Sequence, residues 1–239
     1  MLDGLQLGPL TLHTFGIVVN VAFAVGLLAA VPAAHRASVP ARVLLDAAPI
    51  VAVAAVTGAR AWYVAWHWAD YAADWQSTLY LWEGGLSLEG AVLGGLLGTA
   101  LAARLERVAA GRLCDASAPA AALAIATGQA GCLLVGCAGG PGQAFAAPPR
   151  ALLGPVPLEA VIAAAMALLG ITLLLRQISS TTAVFLTGYG VIRAAGAAAQ
   201  AGAVGESPVA ASFPGLAFCA AGLLWLGLAR WRSRTAARG

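Results

Sequence analysis

Two arginines, two glutamates and a pair of cysteines are the residues of this chain that can do chemistry, because each falls inside or at the edge of an otherwise apolar stretch. Arg60 lies late in one such stretch and Arg193 deep in another, while Glu89 and Glu159 each open one. A charge at membrane depth costs at least about 2.5–3.5 kcal/mol on insertion scales, so each needs an ionic partner, a wet cavity or a ligand. One reading is mutual pairing for packing alone, Arg60 or Arg193 with Glu89 or Glu159. The other is a cationic cleft for an anionic group. A planar guanidinium binds phosphate oxygens bidentately and keeps its charge when partly buried, and basic pockets between helices capture lipid headgroups. Tyr189, flanked by glycines one helical turn before Arg193, can turn its hydroxyl toward the same cleft.

Cys132 and Cys137 belong to the segment GQAGCLLVGCAGG, Gly128–Gly140, where an apolar span gives way to a long irregular loop. In hydrocarbon, backbone leaves the helix only where protein or a water-filled cavity supplies its hydrogen bonds, so such a break marks a candidate site. The two thiols can form a disulfide on an oxidising outer face, act as nucleophiles that accept an acyl or diacylglyceryl group, or fill space among glycines. No metal site is expected, since His13, His35 and His67 complete no ligand spacing and Cys114 falls on the opposite side of the membrane. His13 precedes the first span and can orient a headgroup. His35 and His67 are read as structural flanks, and Cys219 as packing.

The elements that must position these groups are membrane helices. Of the 239 residues, 61% are hydrophobic and 10% charged, with a mean hydropathy of +0.85, which excludes a soluble domain. Apolar stretches long enough to cross a hydrocarbon core of about 30 Å recur along the chain. Seven are read: Phe15–Ala34, Leu44–Trp66, Leu88–Leu105, Ala116–Val135, Pro157–Leu175, Thr181–Gln200 and Pro214–Trp231. Together they predict a single all-α transmembrane domain over residues 1–239. The leader MLDGLQLGPLTLHT has no basic residue and the run after it is long for a cleaved signal, so the first span is expected to remain as a helix.

Arginine sets the orientation. Arg36 and Arg42, then Arg104, Arg107 and Arg112, then Arg176, then Arg230, Arg232, Arg234 and Arg238 follow alternate spans. The other side holds Asp3, Asp70, Asp74, Glu83 and Glu206, with Arg150 as its basic residue. The positive-inside rule then predicts an outer N-terminus and a cytoplasmic C-terminus. The net charge of +3 is a topology signal, and no nucleic-acid partner is expected. Both long connections, Asp70–Ser87 and Val135–Val156, fall outside as amphipathic arms on the membrane surface. Trp62, Trp66, Trp68, Trp75 and Trp82 with Tyr63, Tyr71 and Tyr80 crowd the first one as an aromatic belt, or as the wall of a lipid or substrate channel. Gly90, Gly94 and Gly98 form a small-xxx-small face for close helix packing.

The order of motifs resembles the bacterial prolipoprotein diacylglyceryl transferases. LGPLTLHTFGI at the first span, GARAWYV from Gly58, LYLWEGGLSLEGAVLGG from Leu79, D-x-x-A-P at Asp115–Pro119, GQAGCLLVGCAGG, and LTGYGVIR at Leu186–Arg193 carry the likeness. The resemblance implies a seven-span enzyme of the bacterial inner membrane that moves the diacylglyceryl group of phosphatidylglycerol onto a lipobox cysteine thiol of a prolipoprotein, releasing glycerol phosphate. It implies site roles for His13, Arg60, Tyr63, Gln129, Gly131, Cys132, Cys137, Gly140, Tyr189 and Arg193, and keeps Gly85, Ser87, Asp115 and Pro119 in place. The family's signature G-R-x-G-N-F-x-N-x-E is altered: Gln129 replaces its Arg, Cys132 and Val135 its two Asn, and Cys137 its Glu. Glu89 stands where the family has the His proposed as base. A carboxylate can serve there, so the expected catalytic set is Glu89, Arg193 and Tyr189, with Arg60 helping to hold phosphate and no cofactor. The alternative is a non-catalytic or repurposed lipid-binding paralogue that keeps the pocket for an anionic phospholipid, with chemistry, if any, through Cys132 and Cys137.

Overall fold

With no water to satisfy their backbone, the apolar stretches become helices. The computed structural model describes residues 5–7, 10–12, 14–72, 74–81, 85–135, 158–176, 178, 180–204 and 208–236. In chain order the helices are α1 (Thr14–Arg36), α2 (Ala41–Trp66), a single turn α3 (Trp68–Tyr71), α4 (Leu88–Leu105), α5 (Ala110–Val135), α6 (Leu158–Leu175), α7 (Thr181–Val204) and α8 (Pro208–Ala236). A 3-10 turn at Trp75–Leu79 lies between α3 and α4. The protein is an all-α integral membrane protein apart from one short ribbon: Leu5–Leu7 pairs antiparallel with Leu10–Leu12 across a Gly8-Pro9 connection, with Leu5 opposite Leu12. The alternation in LQLGPLTL and its Gly-Pro pair are the local signal for that ribbon, which the span reading passed over.

A helix lies over each of the seven expected spans. Among the described residues, five helices are long and apolar enough to cross a membrane: Gly16–Arg36, Ala41–Trp66, Leu88–Leu105, Thr181–Ala199 and Ser212–Trp231. Ala160–Leu175 is a shorter apolar helix. The 26 residues of α5 give it a length of about 39 Å at 1.5 Å per residue, although alanine, glycine, serine and threonine make up much of it. Helix ends overrun the apolar windows, most clearly in α5, which starts at Ala110 and carries Arg112, Cys114 and Asp115 in its first turns.

Residue contacts divide the chain into two units. One comprises Ala33–Ser117, and the other Met1–Pro32 with Ala118–Gly239. In the first, α2 and α4 approach at backbone distance: a Cβ added to Gly58 would lie 2.5 Å from the Gly90 carbonyl oxygen and 2.8 Å from the Gly94 Cα. A Cβ on Gly98 would lie 2.7 Å from that of Ala54. The expected face of Gly90, Gly94 and Gly98 is therefore the α2 contact.

Helices α1 and α4 end alike. Val39 N–H donates to Ala34 O at 2.9 Å and Ser38 N–H to His35 O at 3.3 Å; Val108 N–H donates to Ala103 O at 3.0 Å and Arg107 N–H to Arg104 O at 3.3 Å. Ser38 (φ 54°) and Arg107 (φ 55°) hold the left-handed position that this double closure requires.

In the second unit, α7 and α8 pack closely: a Cβ on Gly190 would meet the Gly215 carbonyl oxygen at 2.5 Å, and Ser212 Oγ donates to Ala194 O at 3.1 Å. Cys219 Sγ donates to Thr187 O at 3.5 Å, so this thiol serves helix packing. A Cβ on Gly131 of α5 would run into the γ-methyls of Val18 on α1, and one on Gly170 of α6 would lie 2.7 Å from Leu123 Cγ.

Candidate functional site

The chemistry-bearing residues fall into two groups, one in each unit. In the Ala33–Ser117 unit the organising residue is Arg60, near the C-terminal end of α2 and only 6% exposed. Its Nε donates to Thr78 O at 2.8 Å, Nη2 to Ser77 O at 2.8 Å and Nη1 to Gly85 O at 3.2 Å. The guanidinium carbon stands 5.2 Å from the centre of the Tyr71 ring, within cation–π range. The expected partners of Arg60 were a glutamate, Glu89 or Glu159, or a phosphate. In the structure Arg60 directs these three donors at backbone carbonyls of the connection between α2 and α4.

That connection is closed by neighbouring residues. Gly85 has φ +69°, a conformation that glycine adopts without steric cost, and a Cβ there would lie 2.6 Å from Tyr63 Cε1 and 2.7 Å from Arg60 Nη1. Ser87 N–H donates to Ala59 O at 3.1 Å, and Ser87 stands at the N-cap of α4. Its hydroxyl donates to Glu89 Oε2 at 2.7 Å, holding the half-buried Glu89 carboxylate in the first turn of α4. A carboxylate is favoured there by the partial positive charge of the helix N-terminus. Tyr63 stacks on His67 with ring centres 4.2 Å apart, and His67 Nδ1 lies 3.0 Å from Tyr63 O. Trp62 stacks on Trp66 at 5.6 Å. Trp66, Trp68, Trp75, Leu79 and Leu81 expose their side chains, as an interfacial aromatic belt does.

The other unit holds Tyr189 and Arg193 on α7 and Gln129 and Gly131 on α5. The Tyr189 side chain is fully buried, edge-on to Phe218 at 5.1 Å and stacked with Phe185 at 6.0 Å. An aromatic cluster thus packs around its ring. Arg193, one turn further along α7, is half-buried, as is Gln129. Gly131 is buried against Val18. Cys132 lies in the last turn of α5, with its side chain outside the described residues, and so does the Glu159 side chain at the start of α6. His13, Cys137 and Gly140 lie outside the described residues altogether. Helix α5 runs to Val135, where the expected span ends, so Gly128–Val135 are helical and the rest of GQAGCLLVGCAGG lies outside the described residues. Among the described residues no group of three or more His, Cys, Asp or Glu is placed to hold a metal ion.

The motifs joined by Arg60, GARAWYV on α2 and LYLWEGGLSLEG running into α4, are two of those that carried the family likeness. A family model described as prolipoprotein diacylglyceryl transferase matches residues 4–225. The chain belongs to that family. Among its relatives are proteins named phosphatidylglycerol–prolipoprotein diacylglyceryl transferase from Trichormus variabilis, 31% identical over 126 residues covering 53% of this chain and 45% of the relative, and from Halalkalibacterium halodurans, 32% identical over 127 residues covering 53% and 44%. A third, from Parasynechococcus marenigrum, is 33% identical over 126 residues, 53% of this chain and 45% of the relative. The chain spans about half the length of the curated relatives it matches. Ser87 is a residue whose role in this transferase fold the sequence left unassigned. The signal available for it was a serine just ahead of an apolar run, the usual mark of a helix N-cap.

Proposed function

We propose that the protein is a phosphatidylglycerol:prolipoprotein diacylglyceryl transferase of the bacterial inner membrane, a single transmembrane domain of seven spans with its N-terminus outside. The observation that carries the reading is the family match over residues 4–225, which includes every residue given a role below. The names of the relatives supply the two substrates, phosphatidylglycerol and a prolipoprotein. The reaction attaches the lipobox cysteine sulfur to the glyceryl carbon that carries the phosphate ester. That carbon–oxygen bond breaks, and glycerol phosphate departs with the electron pair.

Glu89 takes the thiol proton. Its carboxylate is preset by the Ser87 hydroxyl at 2.7 Å, so one oxygen is held while the group remains half-buried. Arg193 meets the negative charge of the phosphate as it leaves, through charge-assisted hydrogen bonds. By family position Tyr189, Tyr63, Gln129, Gly131, Gly140 and His13 are the candidates for substrate binding. Cys132 and Cys137 stand at signature positions as small apolar-compatible residues. The acceptor is presented by the signal peptide of the prolipoprotein, from the outer side or laterally from the bilayer.

The test is complementation in bacterial cells depleted of their own transferase. Expression of this chain is expected to restore lipidated prolipoprotein, seen as a mobility shift and by incorporation of labelled glycerol. A well-expressed, membrane-inserted chain that lipidates no prolipoprotein sinks the transferase. The same chain retaining phosphatidylglycerol would then be a lipid-binding paralogue.

A further inference from the structure

A charged side chain that is 6% exposed has given up most of its water, and its hydrogen bonds show what it exchanged water for. Arg60 presents Nε and Nη2 along one edge of its fork to two consecutive carbonyls, Thr78 O and Ser77 O, each at 2.8 Å. Nη1 reaches Gly85 O at 3.2 Å. One guanidinium therefore ties the 3-10 turn at Trp75–Leu79 to Gly85, two residues before the α4 N-cap, and the residue before it, Ala59, receives Ser87 N–H at 3.1 Å. Carbonyls at a membrane interface need donors, and three from a single cation give charge-assisted bonds in fixed directions. A lysine ammonium at the same position cannot present a planar fork to two carbonyls at once. Gly85 belongs to the same device, since a Cβ there would occupy the space of Arg60 Nη1 and the Tyr63 ring.

We infer that Arg60 is a positioning residue, which clamps the Ser77–Gly85 connection onto α2 and through Gly85 and Ser87 sets the Glu89 carboxylate at the start of α4. The chain of contacts is continuous: Arg60 to Gly85, Ala59 to Ser87, and Ser87 to Glu89. The consequence at Glu89 rests on the transferase reading, whereas the clamp rests on the hydrogen bonds alone. This changes what losing Arg60 does. A direct phosphate ligand controls affinity for the lipid; a clamp controls the placement of the base.

The experiment uses the full chain in mixed micelles with phosphatidylglycerol and compares wild type with Arg60→Lys and Gly85→Ala. Gly85→Ala breaks the same link while leaving Arg60 in place. Three quantities are read: amide hydrogen exchange at Ser77, Tyr80 and Ser87, whose N–H groups are bonded in the structure; the Kd for phosphatidylglycerol; and kcat. Exchange at these amides is expected to rise at least about tenfold in both variants, with the amides of α2 unchanged. The Kd is expected to stay within about twofold, and kcat to fall at least about tenfold. Adding Glu89→Gln to either variant is expected to cost less than it does in wild type, because the two changes act on one arrangement. Unchanged exchange in both variants overturns the clamp. So does a Kd that rises tenfold in Arg60→Lys while the loop stays protected, which would make Arg60 a direct phosphate ligand. If wild type shows no transfer at all yet the loop amides still open in both variants, the clamp stands and the transferase reading falls.

Discussion

Replacing Gly58 with alanine tests whether backbone contact holds α2 to α4. The added Cβ would stand 2.5 Å from the Gly90 carbonyl oxygen and 2.8 Å from the Gly94 Cα. Both are main-chain atoms of a helix, so no rotamer change makes room. To reach about 3.5 Å, the near edge of favourable contact, the helices must part by about 1 Å at this point, and a gap of that size forfeits a quarter to a half of the dispersion energy of the atoms that had faced each other. Overpacking of this kind costs about 1–3 kcal/mol. Gly95→Ala is the internal control, because its Cβ, on the partner helix α4, meets Ala55 Cβ of α2 at 3.9 Å, an ordinary contact. Separated helices stay helical in a bilayer, so the difference in helix propensity between glycine and alanine largely cancels in both variants. Gly58→Ala is expected to lose about 2 kcal/mol and Gly95→Ala to change by less than about 0.5 kcal/mol. Reversible unfolding in mixed micelles by SDS titration, followed by tryptophan fluorescence, measures both. Equal stabilities of the two variants would refute the backbone contact as the source of cohesion.

Gly131→Ala drives a methyl into the γ-methyls of Val18, so it is expected to destabilise the protein by about 1–3 kcal/mol, and Val18→Ala in the same chain should restore most of that loss. Unfolding midpoints of the two single variants and the double variant decide it. At the end of α1, Ser38 sits at φ 54°, so Ser38→Val is expected to cost about 1–2 kcal/mol and Ser38→Gly nothing, in the same unfolding assay. Arg193→Ala is expected to weaken phosphatidylglycerol binding at least tenfold, the equivalent of about 1.4 kcal/mol, in a vesicle competition assay. Unchanged binding would remove Arg193 from the lipid site.

The helices were legible because hydropathy alone forces them, and the Gly90, Gly94 and Gly98 face because small residues at helical spacing have few other uses in a membrane. Helix ends were less so: α5 begins at Ala110 since helical backbone continues past the apolar window through Arg112–Asp115, where hydropathy gives no signal. The site was legible in its residue types and illegible in its partners. Arg60 stands out as a costly charge, yet among its acceptors are carbonyls of Ser77, Thr78 and Gly85, and a carbonyl is present at every residue whatever the side chain. Nothing in residue spacing distinguishes a guanidinium that waits for phosphate from one already engaged by the backbone. Tyr189 shows the same limit, since its flanking glycines signalled close approach without saying that Phe185 and Phe218 surround the ring.

The clamp also orders events during synthesis. Arg60 emerges with α2, whereas its acceptor Gly85 comes 25 residues later. At about 5–20 residues per second, the growing chain carries that guanidinium without its final acceptors for roughly one to five seconds. Until then the guanidinium near the end of α2 must find its hydrogen bonds in water or lipid headgroups. The clamp therefore closes only once the chain has been made as far as the start of α4, so the α2 charge is satisfied by the α2–α4 hairpin and not by α2 alone.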